Sequence, residues 1–286
     1  MTSIYRSAEG QRVIRAWCER RLDEWDVRHR RWNISTAAGP TSVVAVGTET
    51  PGPRPPVVVV PGTNMNTAVC LDFLAALAAR WPVIALDVPG QPGLSAEQRP
   101  RKDRMDWYGR WLSEVVEHVS PGRVVVAGHS LGGAIALACP SDRIAARVLV
   151  APAGLMRLSV PPKLLAATGP WLVTPGPVPT RRLLEQMTAP GGHIPEHLCD
   201  WMTLVARHCR TSLAPAPLDS ATLADQRTAP CVVATGAHDV FLPPRRLGPA
   251  VRRRLGADLH TLEGCGHLAL DEDPERIVDL VSGVTM

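Results

Sequence analysis

The segment Gly128–Gly133, with the sequence GHSLGG, has residue types and a spacing that could support nucleophilic chemistry. It lies between the valine-rich run 124–127 and a second apolar run, 134–138, so the sequence predicts a buried strand, a tight turn and a helix. Glycines two residues before and after Ser130 leave room for a sharp turn that exposes the serine hydroxyl. The first amides of the helix would then face negative charge that develops on a substrate.

A serine hydroxyl is a weak nucleophile at neutral pH and needs a base, which is usually an imidazole. Of the nine histidines, His267 has the most suitable position. It ends the sequence Gly-Cys-Gly-His, after the predicted strand 259–262 and before a predicted closing helix, 274–281. His129 adjoins the serine but is expected to point elsewhere and to pack, and His238 is expected to lie in a loop.

The imidazole needs a carboxylate to orient it. Asp239 directly follows the predicted strand 231–235, so we expect it at the same edge of the sheet. Asp87 also follows a strand, but the Pro-Gly pair close behind it favours a loop-shaping role, and Glu263 is the second choice of orienting acid. The predicted catalytic residues are Ser130, Asp239 and His267.

A tetrahedral intermediate also needs two hydrogen-bond donors for its oxyanion. The amide of Leu131, directly after the serine, is one candidate. The second should come from the loop after the predicted strand 57–60, where the amide of Thr63 is the first choice. Asn64 and the Thr63 hydroxyl could assist or only shape the loop.

The elements around these residues alternate between strands and helices, which predicts a doubly wound, mostly parallel α/β sheet. The predicted strands are 27–35, 41–46, 57–60, 83–86, 124–127, 147–150, 231–235 and 259–262, and helices are predicted near 8–25, over 67–80 and over 105–119. The alternation stops at residue 155. We therefore predict a core formed by 1–154 and 228–286, with 155–227 inserted as a helical cap over the carboxyl edge of the sheet.

The predicted cap is rich in apolar residues, which either contact an apolar acyl or ring-bearing substrate or form the cap's own core. The candidate substrate contacts are Asn64, Met65, His129, Trp171 and Trp201. The cap also holds His193, His197, His208, Cys199 and Cys209, but their spacing matches no usual zinc pattern, so no metal site is predicted.

The composition of the chain indicates which kinds of binding partner and which cellular compartment to expect. The 286 residues are 45% hydrophobic, enough for a sizeable core, and the net charge is only +4. Basic residues are interspersed with acids, so neither a nucleic-acid nor a membrane partner is expected. The seven scattered cysteines form no CxxC pair, and the first residues contain no signal-peptide-like apolar core, so we expect a cytoplasmic protein. The oligomeric state stays open.

Together these motifs resemble the α/β-hydrolase family, in its capped, esterase-like form with a serine nucleophile. The matching motifs are Pro61-Gly62-Thr63-Asn64, Asp87-Val88-Pro89-Gly90, Gly128–Gly133, Gly236-Ala237-His238-Asp239 and Gly264-Cys265-Gly266-His267. The order serine, aspartate, histidine is the order of that family. The helix predicted before the first strand resembles a bacterial subgroup of hydrolases and carboxylesterases. One departure is the oxyanion loop, which begins Pro61-Gly62 where the family often has His-Gly, so its anchoring must differ.

The resemblance implies hydrolysis of an ester-like bond through an acyl-enzyme, without a cofactor or metal. A fold does not define a substrate, so several alternatives stay open. The same residues could serve a thioesterase, a lactonase or an acyltransferase. A carbon–carbon bond hydrolase or a non-hydrolytic reaction in the same pocket is a second alternative, and a ligand-binding receptor with a vestigial triad is a third.

Overall fold

The computed structural model describes residues 1–47, 54–210, 215–224 and 229–285. Its strands are β1 (Thr2–Ser3), β2 (His29–Thr36), β3 (Gly39–Val46), β4 (Val57–Val60), β5 (Val83–Leu86), β6 (Gln98–Arg99), β7 (Val124–His129), β8 (Ile144–Val150), β9 (Cys231–Gly236) and β10 (Leu259–Leu262). Eight of these strands form one sheet in the order β10-β9-β8-β7-β4-β5-β3-β2. The other two, β1 and β6, pair antiparallel with each other.

Six strands of the large sheet run parallel, from β10 across to β5. Only β3 and β2 add to the sheet in the antiparallel sense. The predicted mostly parallel sheet is therefore confirmed, and each predicted strand lies within or overlaps an observed one.

Helices cover the sheet on both faces. They are α1 (Ala8–Asp23), α2 (Leu71–Ala78), α3 (Arg104–Val119), α4 (Leu131–Ala138), α5 (Pro162–Val173), α6 (Pro177–Glu185), α7 (Glu196–His208), α8 (Ser220–Ala224), α9 (Pro244–Leu255), α10 (Ala269–Glu272) and α11 (Pro274–Thr285). None of the helices in the described ranges combines the length and the apolar character that crossing a bilayer would require.

The central strand β4 shows why the sheet needs both layers. All four of its valines are buried, and they alternate between two apolar clusters. The first and third face Leu74 of α2 and Ile277 of α11, whereas the second and fourth face Leu112 of α3 and Ile135 of α4. A parallel strand covered on both faces has this continuous apolar sequence.

The predicted helix 67–80 is interrupted, which corrects the sequence-based expectation. The structure has a 3₁₀ turn over Thr67–Val69 and begins α2 only at Leu71. The Asn66 side chain accepts a hydrogen bond from the Val69 amide at 3.1 Å, and this local cap closes a tighter turn.

Between β8 and β9 the chain forms α5 to α8, and we call this part the helical segment. Apart from a single bridge between Cys209 and Tyr5, its described residues form no strand. Trp171 and Trp201 are both buried in it, and the indole nitrogen of Trp171 donates to the Met202 carbonyl at 3.1 Å. Apolar residues of the helical segment thus join the apolar cluster on one face of the sheet, and the ring of Trp201 lies 4.8 Å from that of Trp17 in α1.

Residues near the start of the chain join the helical segment to the sheet. The amide of Arg6 donates to the carbonyl of His208 at 2.8 Å, and the amide of Arg210 donates to the carbonyl of Ile4 at 2.7 Å. On its other side the amide of Ile4 donates to the carbonyl of Glu97, in the loop after β5. These bonds hold the end of α7 in place.

Candidate active site

Ser130 occupies the turn between β7 and α4 in a strained conformation, with φ 49° and ψ −107°. Positive φ is costly for a residue with a side chain and persists only where the surroundings enforce it. Here the glycines allow close approach: a Cβ on Gly132 would lie 1.9 Å from the carbonyl oxygen of Val60, and one on Gly128 would lie 2.6 Å from the carbonyl oxygen of Gly132. The predicted strand, turn and helix are all present.

The structure brings the three predicted catalytic residues together. The hydroxyl of Ser130 lies 3.1 Å from Nε2 of His267, and Nδ1 of His267 lies 2.9 Å from Oδ2 of Asp239. All three side chains are buried, and Ser130 is only 7% exposed. The carboxylate accepts a hydrogen bond from the N–H at Nδ1, which leaves Nε2 free to accept the proton of the serine hydroxyl.

Asp239 is held as an ion by its surroundings. Burial alone would raise the pKa of its carboxyl group, but the charge and hydrogen bond of His267 and the amides of Leu242 and Phe241 outweigh burial and hold the pKa below its ordinary value. Those two amides donate to Oδ1 at 2.9 and 2.8 Å, and the Thr235 hydroxyl lies 3.0 Å from Oδ2. The ionised form is therefore favoured.

The backbone of His267 is bonded on both sides. Its amide donates to the carbonyl of Met187 at 2.6 Å, and its carbonyl accepts a hydrogen bond from Nε2 of His129 at 2.9 Å. Burial and then the charge of His267 lower the pKa of His129 to about 4, so His129 is neutral near pH 7. His129 holds the His267 loop in place, in keeping with the predicted packing role.

The predicted oxyanion loop contacts the turn that carries Ser130. A Cβ on Gly62 would lie 3.3 Å from the Cβ of Ser130. Among the described residues, no group accepts a hydrogen bond from the amide of either Thr63 or Leu131, which are the two predicted donors. Both amides are thus available to a ligand.

The loop is anchored through Asn64, the residue after Thr63. Asn64 has a positive φ of 62°. Its amide donates to Oε1 of Gln91 at 3.0 Å, and its carbonyl accepts the indole N–H of Trp201 at 2.6 Å. These two bonds anchor the loop and tie it to α7. Met65, the next residue, is buried.

Other candidates have roles away from the reaction. Asp87 accepts the amides of Thr67 at 2.8 Å and Leu94 at 2.7 Å, which is a loop-shaping role. Glu263 and His238 are exposed. No group of three metal-ligating side chains is found in the described parts of the chain, so the histidines and cysteines of the helical segment do not assemble into a zinc site there.

Residues that the motifs did not indicate also build the site. Thr235 donates a hydrogen bond to the Asp239 carboxylate. Gln91 accepts one from the amide of Asn64, and Glu272 accepts one from the amide of Gly266, next to His267. Glu272 lies five residues after His267 in a run of three acids, which is a weak signal, because acidic runs usually lie on solvated surfaces.

A serine on a strained strand–helix turn, with the acid and the base following later in the chain at the ends of parallel strands, defines an α/β-hydrolase site. The chain belongs to the alpha/beta hydrolase family, whose model matches residues 57–280. The resemblance found in the sequence is therefore confirmed.

One curated relative and two similar solved structures share less than a third of their aligned residues with this chain. The chain is 28% identical to the lipase LipV of Mycobacterium tuberculosis over 238 residues, which cover 70% of this chain and 86% of LipV. Among solved structures, the carboxylesterase CesB of Bacillus subtilis superimposes with a TM-score of 0.77 at 17% identity, covering 97% of this chain and 98% of CesB. The naproxen esterase of B. subtilis superimposes with a TM-score of 0.76 at 19% identity, covering 94% and 95%.

Proposed function

We propose that this protein is a serine hydrolase of the carboxylesterase type, which cleaves an ester-like acyl bond. The observation that carries the proposal is the continuous hydrogen-bonded path from Ser130 through His267 to the ionised Asp239. The names of the lipase and the two esterases among its relatives support the same reaction class.

In the acylation half of the reaction, Nε2 of His267 takes the proton of the Ser130 hydroxyl as Oγ attacks the substrate carbonyl carbon. The carbonyl oxygen becomes an oxyanion and is stabilised by the amides of Leu131 and Thr63. Collapse of this intermediate breaks the ester bond, and His267 gives its proton to the departing alcohol. The acyl group is then bonded to Oγ.

Deacylation repeats the sequence with water. His267 removes a proton from the water, which attacks the acyl carbon, and then returns that proton to Oγ as the acid product leaves. Asp239 stays ionised throughout and keeps the Nδ1 proton in place. The proposal requires neither a cofactor nor a metal.

The helical segment is proposed to act as the cap that residues 155–227 were predicted to form, over a core of 1–154 and 228–286. The low exposure of Ser130 favours small substrates, and the apolar residues of the helical segment favour an apolar acyl or ring-bearing group. Asn64, Met65, His129, Trp171 and Trp201 remain the proposed contacts, although Trp171 and Trp201 are buried in the apolar cluster that the helical segment shares with the sheet. Seven unpaired cysteines fit the proposed cytoplasmic location.

The test is a burst assay with an activated p-nitrophenyl ester on the wild type, Ser130→Ala and the control Ser141→Ala, with the intact mass recorded afterwards. We expect a burst and an acyl adduct in the wild type and the control. Ser130→Ala should lose both, with turnover lower by about 10⁶-fold.

No burst and no adduct in the folded wild type would overturn the proposal. Turnover of a diketone with esters left intact would favour carbon–carbon cleavage instead. Ligand binding without multiple turnover would favour the receptor alternative.

A further inference from the structure

Glu272 joins the loop that carries His267 to the helical segment. It is the last residue of the short helix α10. Its Oε2 accepts the amide of Gly266 at 2.7 Å, directly before His267, and its Oε1 accepts the amide of Ala189 at 2.6 Å. One carboxylate therefore bonds two backbone segments that lie far apart in the sequence.

These bonds complete a close contact between the two segments. The amide of His267 donates to the carbonyl of Met187, two residues before Ala189. Gly266 fits so tightly that a Cβ there would lie 2.4 Å from the same carbonyl oxygen. The peptide Gly266–His267 thus packs directly on residues 187–189, and the carboxylate of Glu272 hydrogen-bonds to both segments.

A carboxylate suits this position better than a neutral side chain would. Both of its oxygens meet N–H donors, and a carboxylate can accept on both whereas an amide can accept on only one. No salt bridge to Glu272 is found in the parts of the chain that the structure describes. Burial raises the pKa of the Glu272 carboxyl group above its ordinary value, and the hydrogen bonds from the amides of Ala189 and Gly266 act against that rise, so these two donors favour the carboxylate.

The distances at the reacting groups depend on this loop. His267 must keep Nδ1 at 2.9 Å from Asp239 and Nε2 at 3.1 Å from Ser130 at the same time. Displacement of a catalytic group by about 1 Å can cost 10²-fold in rate. The peptide that carries the imidazole has to be fixed more firmly than a glycine-rich loop would be on its own.

We propose that Glu272 is a positioning residue, whose carboxylate holds the Gly266–His267 peptide on residues 187–189 and so sets the imidazole for proton transfer with Ser130. This rests on the proposed function of Ser130 and His267. Glu272 acts through the loop and does not touch the substrate.

The test compares Glu272→Gln with the control Asp271→Asn, which makes the same acid-to-amide change one residue away in α10. Rates are expressed per active site, titrated with a fluorophosphonate, so that an unfolded fraction does not count. For Glu272→Gln we expect kcat on a p-nitrophenyl ester to fall by about 10- to 100-fold, with KM within about three-fold of the wild type. The control should stay within about two-fold.

A double-mutant cycle separates positioning from a general effect. In the His267→Ala background, where Ser130 lacks its base and does not react with the fluorophosphonate, rates are expressed per folded protein measured by circular dichroism. There Glu272→Gln should change the residual rate by less than about two-fold, because its effect passes through the imidazole. If Glu272→Gln does not fold, Glu272→Asp keeps the charge but shortens the reach, and a smaller loss of kcat is expected. An unchanged kcat per site, or an equal loss in both backgrounds, would overturn the proposal.

A spectroscopic readout keeps the test independent of turnover. The Nδ1 proton that His267 shares with Asp239 should give a low-field proton NMR resonance that is absent from His267→Ala. Glu272→Gln should shift or broaden it, and Asp271→Asn should leave it in place. If the wild type cleaves no ester but Glu272→Gln moves the resonance, the proposed function fails and the positioning role stands. A resonance unchanged in Glu272→Gln would overturn that role.

Discussion

Replacement of Asp271 by asparagine should stabilise the protein, and more so at alkaline pH. Asp271 is partly buried, and none of the described residues donates a hydrogen bond to its carboxyl group. Burial, followed by the nearby charges of Asp72 and Glu272, raises its pKa to about 7 from the ordinary 3.8. The folded state therefore holds this proton more tightly than the unfolded chain does.

The size and sign of the effect follow from linkage. Because the folded pKa is raised, Asp271 costs no stability below about pH 4, progressively more up to about pH 7, and a constant amount above that. A shift of about 3 units corresponds to about 4 kcal/mol at 1.36 kcal/mol per unit. Water that reaches the partly exposed carboxyl group screens part of this, so we expect about 2 kcal/mol.

The measurement is the free energy of unfolding of Asp271→Asn by urea at pH 5 and pH 8, with the exposed Asp142→Asn as the matched control. Asparagine cannot ionise, so the gain of the variant at pH 8 should exceed its gain at pH 5 by about 1 kcal/mol. The melting temperature at pH 8 should rise by roughly 4–8 °C. A gain of equal size at both pH values, or a loss at pH 8, would refute the reasoning.

Two further substitutions test the contacts that hold the turn carrying Ser130 and the loop carrying Asn64. Gly132→Ala should lower the free energy of unfolding, measured by urea titration, by about 3 kcal/mol, because the new Cβ meets a backbone carbonyl of β4 that cannot move aside. The control Gly122→Ala places its Cβ in open space and should leave the free energy of unfolding unchanged. Trp201→Phe should lower kcat by reducing the anchoring of Asn64, and its unfolding free energy by about 1 kcal/mol. The control Trp111→Phe loses a comparable buried indole bond, to the Thr41 hydroxyl, so an equal loss of kcat in both variants would contradict the anchoring role.

The sequence was most informative where one local pattern decides the structure. Four valines in a row, residues 57–60, predict a strand that is covered on both faces, and β4 spans these same four residues. The tight turn around Ser130 was predictable because its glycines and its flanking apolar runs are contiguous. The position of His267 followed from the same logic, since the ends of parallel strands meet at one edge of the sheet.

The parts that could not be predicted depend on partners distant in the sequence. Glu272 bonds Ala189, 83 residues earlier, and nothing in the acidic run around it indicates that partner. The indole of Trp201 reaches Asn64 across 137 residues. The break before α2 was missed for another reason: the side chain of Asn66 caps a 3₁₀ turn over Thr67–Val69, inside a stretch whose helical pattern begins at residue 67.

The bonds of residues 4–6 to residues 208–210 have a consequence for how the chain folds during synthesis. Arg6 and His208 are about two hundred positions apart, and ribosomes add roughly 5–20 residues per second. Residues 4–6 therefore wait on the order of ten seconds or more for residues 208–210 to be made. Contacts of such long range are also the slow ones in folding, because the entropy of closing the loop is lost first. Ile4 and Tyr5, which are both buried in the complete fold, lack this part of their surroundings until residues 208–210 have been made.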